Sequence, residues 1–131
     1  MLLVAIGAIF ADLISRSAVE RTADFSNYGK TCVDVFSPGV DIFSSTKGSK
    51  YDSYPGTSMA SPIVAGTAAL VRSYFPKLTA AEVKDILIKS AVPVTEKVKV
   101  PGSKKKTQFS ELCVSGGIVN AAKAVEMAKK K

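Results

Sequence analysis

A chain of 131 residues, 47% hydrophobic and 22% charged, can bury about two-thirds of its unfolded surface as one small domain, which excludes a disordered chain. It contains no histidine, so a Ser-His-Asp triad, a Cys-His dyad and every His-ligated metal site are excluded within these residues. The net charge of +7 sits in the tail: residues 1–95 hold nine Lys/Arg against eight Asp/Glu, and residues 96–131 hold nine against three.

The opening MLLVAIGAIFADLIS admits two readings, a secretory signal or a buried strand. No positive stretch precedes the apolar run and Asp12 follows it directly, which favours the strand. The run is too short to span a membrane. Leu3 to Ile9 is a continuous aliphatic run containing Gly7, the pattern of a strand covered on both faces in a parallel sheet. Residues 11–24 read as a loop, and Phe25–Gly29 as a turn. Cys32–Phe36 reads as a second strand stopped by Pro38-Gly39. Val40–Ser44 is a third, and Tyr51–Tyr54 a fourth across the polar loop 46–50.

From Ser58 to about Tyr74 no charge occurs until Arg72. This predicts a helix buried on nearly all sides, with Pro62 in its first turn or so and Pro76 marking its end. Thr79-Ala80-Ala81-Glu82 fits a capping box opening a second helix whose inner face is Val83, Ile86 and Leu87. Residues 92–110 are rich in Pro, Lys and Val without helical period and read as a surface excursion, with a hairpin as one form of it. After Gly116-Gly117, Asn120 caps a final helix with Ala121, Ala124, Val125 and Ala128 in one stripe. Strand pairs around a charge-free helix, followed by amphipathic helices, point to an α/β layered fold.

Cys32 and Cys113 match no zinc spacing and make no disulfide framework; one bridge and two free thiols both remain open. The chemistry concentrates in Gly56-Thr57-Ser58-Met59-Ala60-Ser61-Pro62. A serine at the N-terminus of a buried helix is suited to be a nucleophile, because free N–H groups and the helix dipole favour developing negative charge. The plainer alternative is that Thr57 or Ser58 is only an N-cap.

GTSMASP at 56–62 resembles the segment around the nucleophilic serine of the subtilisin-like serine proteases. Ile63–Val71 is similar to the buried helix behind that serine. Phe25–Gly29 with Val33–Ile42 resembles the family's stretch before it, and Leu78–Ser90 with Gly117–Ala128 its last two helices. The resemblance implies the C-terminal portion of the subtilisin-like three-layer fold with a mainly parallel sheet, over residues 1–131, with 92–115 less well matched. It implies Ser58 as nucleophile, with its N–H as one oxyanion donor and Thr57 as a weaker contact. Gly56 would let the substrate carbonyl approach, and Met59 would stand beside the nucleophile, where oxidation to the sulfoxide would crowd the site. No metal and no cofactor is implied; Asp34, near a weak cation position of some members, is a lone carboxylate.

In the family, Asp, His and an oxyanion Asn precede the serine in chain order, and the 57 residues before Ser58 match only the stretch after that Asn. Without histidine nothing takes the Ser58 proton at neutral pH. In a subtilisin, loss of the His costs about 2 × 10⁶ in turnover, a figure measured on that enzyme, or roughly 8–9 kcal/mol. The chain alone is expected to be inert. The parent would cleave polypeptides and be secreted or periplasmic, and an upstream fragment bearing Asp and His could dock and rebuild the site. The helix face around Val64, Ala68 and Val71 is expected to meet water, and so to drive self-association. Two further readings stay open: a non-catalytic remnant, and a basic module using Lys104–Lys106 and Lys129–Lys131. Without interleaved aromatics those lysines argue against nucleic acid.

Overall fold

Each apolar run in this chain has to find cover, and the central sheet provides it on two faces. The structure is a computed structural model and describes residues 4–10 and 22–131. In chain order the strands are β1 (Ile6–Phe10), β2 (Val35–Val40), β3 (Ile42–Thr46) and β4 (Lys50–Tyr54). Helices α1 (Thr57–Tyr74) and α2 (Ala80–Lys89) follow, then β5 (Val92–Pro93), β6 (Lys97–Lys99) and β7 (Lys106–Gln108). A 3₁₀ turn (Phe109–Glu111), β8 (Gly117–Ile118) and helix α3 (Ala121–Ala128) complete the described chain.

The main sheet runs β1-β2-β8-β5. β1 and β8 are both parallel to β2, and β5 closes antiparallel on β8. The period of two along β2 then sorts the core. Val35 faces the helices with Val64, Ala68, Val71, Val83, Ile86, Leu87, Ala124 and Ala128. Phe36 points the other way, into a cluster with Val94, Val98, Phe109, Leu112 and Ile118. The fold is α/β: three helices cover one face, and the segment from β5 to β8 covers the other.

Several expectations shift by physical causes. β1 begins at Ile6 rather than Leu3, and Leu3 and 11–21 lie outside the described residues. β2 is not stopped by Pro38-Gly39 but runs on to Val40. The register slips there, Ile9 pairing with Pro38 and Phe10 with Val40, so an irregularity absorbs the proline's missing N–H. The chain turns instead at Asp41, φ 57°, and β3 starts one residue later. Gly7 is required by its partner: a Cβ there would lie 2.6 Å from the ring of Phe36. That ring is fully buried and packs on Phe109 with centroids 4.9 Å apart, so it has nowhere to go.

Helix α1 departs most from its reading. Only Ala60, Val64, Thr67, Ala68 and Val71 are buried, while Ser61, Pro62, Ala65, Gly66, Ala69 and Leu70 are exposed. The face expected to meet water is therefore the face that packs, and the opposite face is bare. Absence of charge does not require burial, because small residues also leave a helix exposed at little cost. Pro62 stands at the sixth helical position, in the second turn, where its missing N–H leaves the Ser58 carbonyl without a helical donor.

The capping box of α2 is present. Thr79 Oγ1 accepts from Glu82 N and Glu82 Oε2 accepts from Thr79 N, with Val83, Ile86 and Leu87 buried as read. Asn120 Oδ1 accepts from Lys123 N and caps α3, whose buried residues are Ala124 and Ala128; Ala121 is exposed. The 92–110 excursion is a hairpin, β6 on β7, but not merely a surface one. Val98 and Phe109 are fully buried. Lysines alternating with valine kept the outer face polar while one valine reached the core.

Candidate active site

Three elements converge on the serine. The β3–β4 hairpin returns the chain to the end of β2, and Gly56 N donates to Gly39 O at 2.6 Å. Gly56 then turns the chain into α1 at φ 155°, ψ 156°, a region that essentially only glycine occupies. No side chain caps the helix, so the reading of Thr57 or Ser58 as a simple N-cap is not what the geometry holds. Thr57 and Ser58 are its first two residues. The first helical N–H to find an acceptor is that of Met59, to Gly56 O at 3.0 Å. Among the described residues the N–H groups of Thr57 and Ser58 have no acceptor, an arrangement suited to an anion or oxyanion.

Ser58 is exposed and Gly56, Thr57 and Met59 are half-buried, so the four residues singled out from the sequence lie together at one helix end. A groove of about 630 Å³ on one side of Ser58 is lined by Val4, Ile6, Asn27, Thr57, Ser61 and Pro62. A second, of about 380 Å³, lies against the hairpin, with Phe43, Tyr54 and Met59 around the same serine. The N-terminal end of α1 carries no acidic residue in its first turn, so the dipole there is uncompensated.

The sequence reading missed Asn27 and Ser61. Ser61 had a signal, since the i+3 position places it beside Ser58 on the helix. Asn27 had none, being assigned to a turn; only the packing of that turn brings it to the groove. Asp34 sits elsewhere. Its Oδ2 accepts from Ala5 N at 2.9 Å and pairs with Lys84 Nζ at 3.0 Å, so this carboxylate ties the entry of β1 to α2. Among the described residues no three His, Cys, Asp or Glu side chains gather as a metal group. Cys32 is exposed and Cys113 buried, both as free thiols. No described helix is long and apolar enough to cross a membrane.

Over 69 residues the chain is 54% identical to a thermophilic serine proteinase of Bacillus sp. (strain AK1), covering 50% of this chain and 17% of that protein. Over 88 residues it is 42% identical to subtilisin of Bacillus pumilus, covering 67% and 29%. Among solved structures, the subtilase cytotoxin SubAB assembly aligns over 97% of this chain and 37% of its own, with a TM-score of 0.72 at 27% identity. The chain thus spans less than a third of the length of these two curated relatives. The family model described as the Subtilase family matches residues 4–116, most of the chain and all of the helix that carries Ser58, so the chain belongs to the subtilase family.

Proposed function

We propose that these residues are the C-terminal portion of a subtilisin-like serine endopeptidase, with Ser58 as its nucleophile. One observation carries the reading: Ser58 is exposed at the second position of a helix that is uncharged up to Arg72 in its last turn, entered through a glycine-only turn fixed to the end of β2. That arrangement presents Oγ to a groove and leaves the serine's own N–H for an oxyanion.

In the reaction the Ser58 Oγ attacks the scissile carbonyl of a polypeptide while an imidazole accepts its proton. The tetrahedral oxyanion is held in part by the Ser58 N–H. Collapse breaks the C–N bond, the imidazole returns its proton to the leaving amine, and water then hydrolyses the acyl-serine. The chain supplies the nucleophile, one oxyanion donor and the walls of the groove. The imidazole comes from outside these 131 residues, because they contain no histidine, and the chain alone is inert. Its natural complement is a protein segment bearing the Asp, the His and the second oxyanion donor, and the assembled enzyme would work in a secreted or periplasmic compartment. The chemistry needs no cofactor.

The test is a chimera in which this chain replaces the stretch it matches in the Bacillus pumilus subtilisin. Peptide hydrolysis by the chimera, abolished by Ser58→Ala and absent from the chain alone, is the expected result. Hydrolysis that survives Ser58→Ala would remove Ser58 from the nucleophile's role.

A further inference from the structure

The β6–β7 hairpin gathers charge of one sign. Residues 96–108 carry five lysines, Lys97, Lys99 and Lys104–Lys106, against one acid, Glu96. Val98 is buried opposite Thr107, so the alternation of a strand turns Lys97, Lys99 and Lys106 to the outer face. The register sets Lys99 directly across from Lys106, and like charges so placed destabilise a strand pair. Lys99 finds relief in Asp24, its Nζ lying 2.9 Å from Oδ1. Among the described residues Lys97, Lys104, Lys105 and Lys106 have no ion pair. The hairpin is also held in place. Val98, Pro101 and Phe109 are buried, Val100 N donates to Lys105 O at 2.9 Å, and the Thr22 hydroxyl donates to Lys99 O. Thr22 and Asp24 open a segment whose later residues border the site. Ser26, Asn27 and Tyr28 line a groove of about 490 Å³, and Asn27 also lines the groove at Ser58. Three residues separate Asp24 from Asn27, at most about 10 Å of chain.

We infer that the lysine hairpin is an outlying subsite of the protease, which takes carboxylate side chains of a polypeptide substrate on one side of the scissile bond. The inference rests on the functional reading above and names the class of substrate, an acidic one. An extended peptide advances about 3.3 Å per residue, so one leaving the Ser58 groove past Asn27 meets the lysines roughly three or more residues further on. Lysine ammonium groups act as mobile point charges, which gives preference for a local excess of acid rather than for one fixed sequence. The site itself has the same sign, because the N-terminus of α1 is positive and carries no acid in its first turn. Other polyanions fit less well. Residues 96–108 contain no aromatic side chain on which bases could stack. The valines of the hairpin, Val98 and Val100, pack into the core instead of offering an apolar face to lipid.

Paired peptide substrates test it. In the Bacillus pumilus chimera, kcat/KM is compared for fluorogenic peptides that share one scissile sequence. Each pair carries either a run of Glu or a run of Gln, placed at increasing distance from the bond on either side. On one side only, the Glu peptide reacts about three- to tenfold faster at low ionic strength, through KM, and the advantage disappears in high salt. Combining Lys104→Gln, Lys105→Gln and Lys106→Gln brings the Glu peptide down to the rate of its Gln partner. An equal loss of charge at Lys129, Lys130 and Lys131 keeps the preference. Equal rates for Glu and Gln peptides, or a preference that survives the hairpin variant, overturn the subsite while the functional reading stands. A folded chimera that cleaves neither peptide overturns that reading and the subsite with it. Where the chimera fails to fold, fluorescence anisotropy of the labelled Glu peptide is measured on the chain itself. Binding that the hairpin variant loses supports the subsite, and no binding overturns it. Duplex DNA or phosphatidylserine vesicles held more tightly than the peptide, with the same dependence on the lysines, identify another class of partner and also overturn it.

Discussion

The same substitution, glycine to alanine, has opposite consequences at two positions ten residues apart. At Gly56, φ 155° and ψ 156° place the residue where an L side chain is strained by about 1–3 kcal/mol. The new Cβ would also come within 3.3 Å of Met59 Sδ and 3.6 Å of Ser58 N. Loss of glycine's freedom in the unfolded chain offsets only about 0.4–1 kcal/mol. At Gly66 the helix is regular and the space around the new Cβ is empty, so alanine gains about 0.8–1 kcal/mol of helix propensity. With a urea slope of roughly 2 kcal/mol/M, Gly56→Ala lowers the midpoint by about 0.5–1 M and Gly66→Ala raises it by about 0.4–0.5 M. Far-UV circular dichroism against urea reads both. Midpoints moving in the same direction would refute the assignment of Gly56 as the strained turn that delivers Ser58.

Other consequences are local. Thr79→Ala removes the cap of α2 and costs about 0.5–2 kcal/mol, read by urea melts. The cost depends on pH, because the Thr79 backbone N–H and then its hydroxyl hold the Glu82 carboxyl below its usual value of 4.5. A depressed carboxyl stabilises above its unfolded value and loses that contribution as pH falls through the folded one. The gap between wild type and Thr79→Ala should therefore narrow below pH 4.5; a gap that widens there contradicts the box. Phe109→Ala opens a cavity against Phe36 and costs about 3–5 kcal/mol; a loss under about 1 kcal/mol would return the 92–110 hairpin to the surface. Lys84→Ala strips one of the two described donors from the buried Asp34 carboxylate and costs about 1–3 kcal/mol. Lys89→Ala breaks only the exposed pair with Asp85 and stays within about 0.5 kcal/mol. Equal effects in a stability comparison of the two would contradict the tie between β1 and α2.

What could be read from the sequence was what local chemistry encodes. The capping box at Thr79, the Asn120 cap, the hairpin after Val40 and a helix opening at the serine motif are all short-range patterns; the two caps stand where they were expected, and the hairpin and the helix begin within two residues of it. What escaped depends on partners distant in the chain. Pro38 lies inside a strand because the neighbouring strand tolerates an irregular register. Val98 is buried because Phe36, 62 positions earlier, offers it a face. The orientation of α1 could not be chosen from its own residues, since both faces are uncharged up to Arg72 and only the packing of Val35, Ile86 and Ala124 selects one. Asn27 joined the site for the same reason, through a turn folding back over β1. At the site itself the motif carried Gly56, Thr57, Ser58 and Met59, all contiguous, and could not carry what lies across the groove.

The central claim is that Ser58 is the nucleophile of a site whose base comes from outside these residues. A fluorophosphonate that phosphylates activated serines, followed by peptide mass mapping, tests this most directly. The account predicts no adduct on the chain alone, and in the subtilisin chimera a single adduct on the peptide containing Ser58, lost in Ser58→Ala. An adduct on Ser58 in the chain alone would contradict the dependence on an outside imidazole. A folded, hydrolytically active chimera labelled on any other serine would contradict the assignment itself.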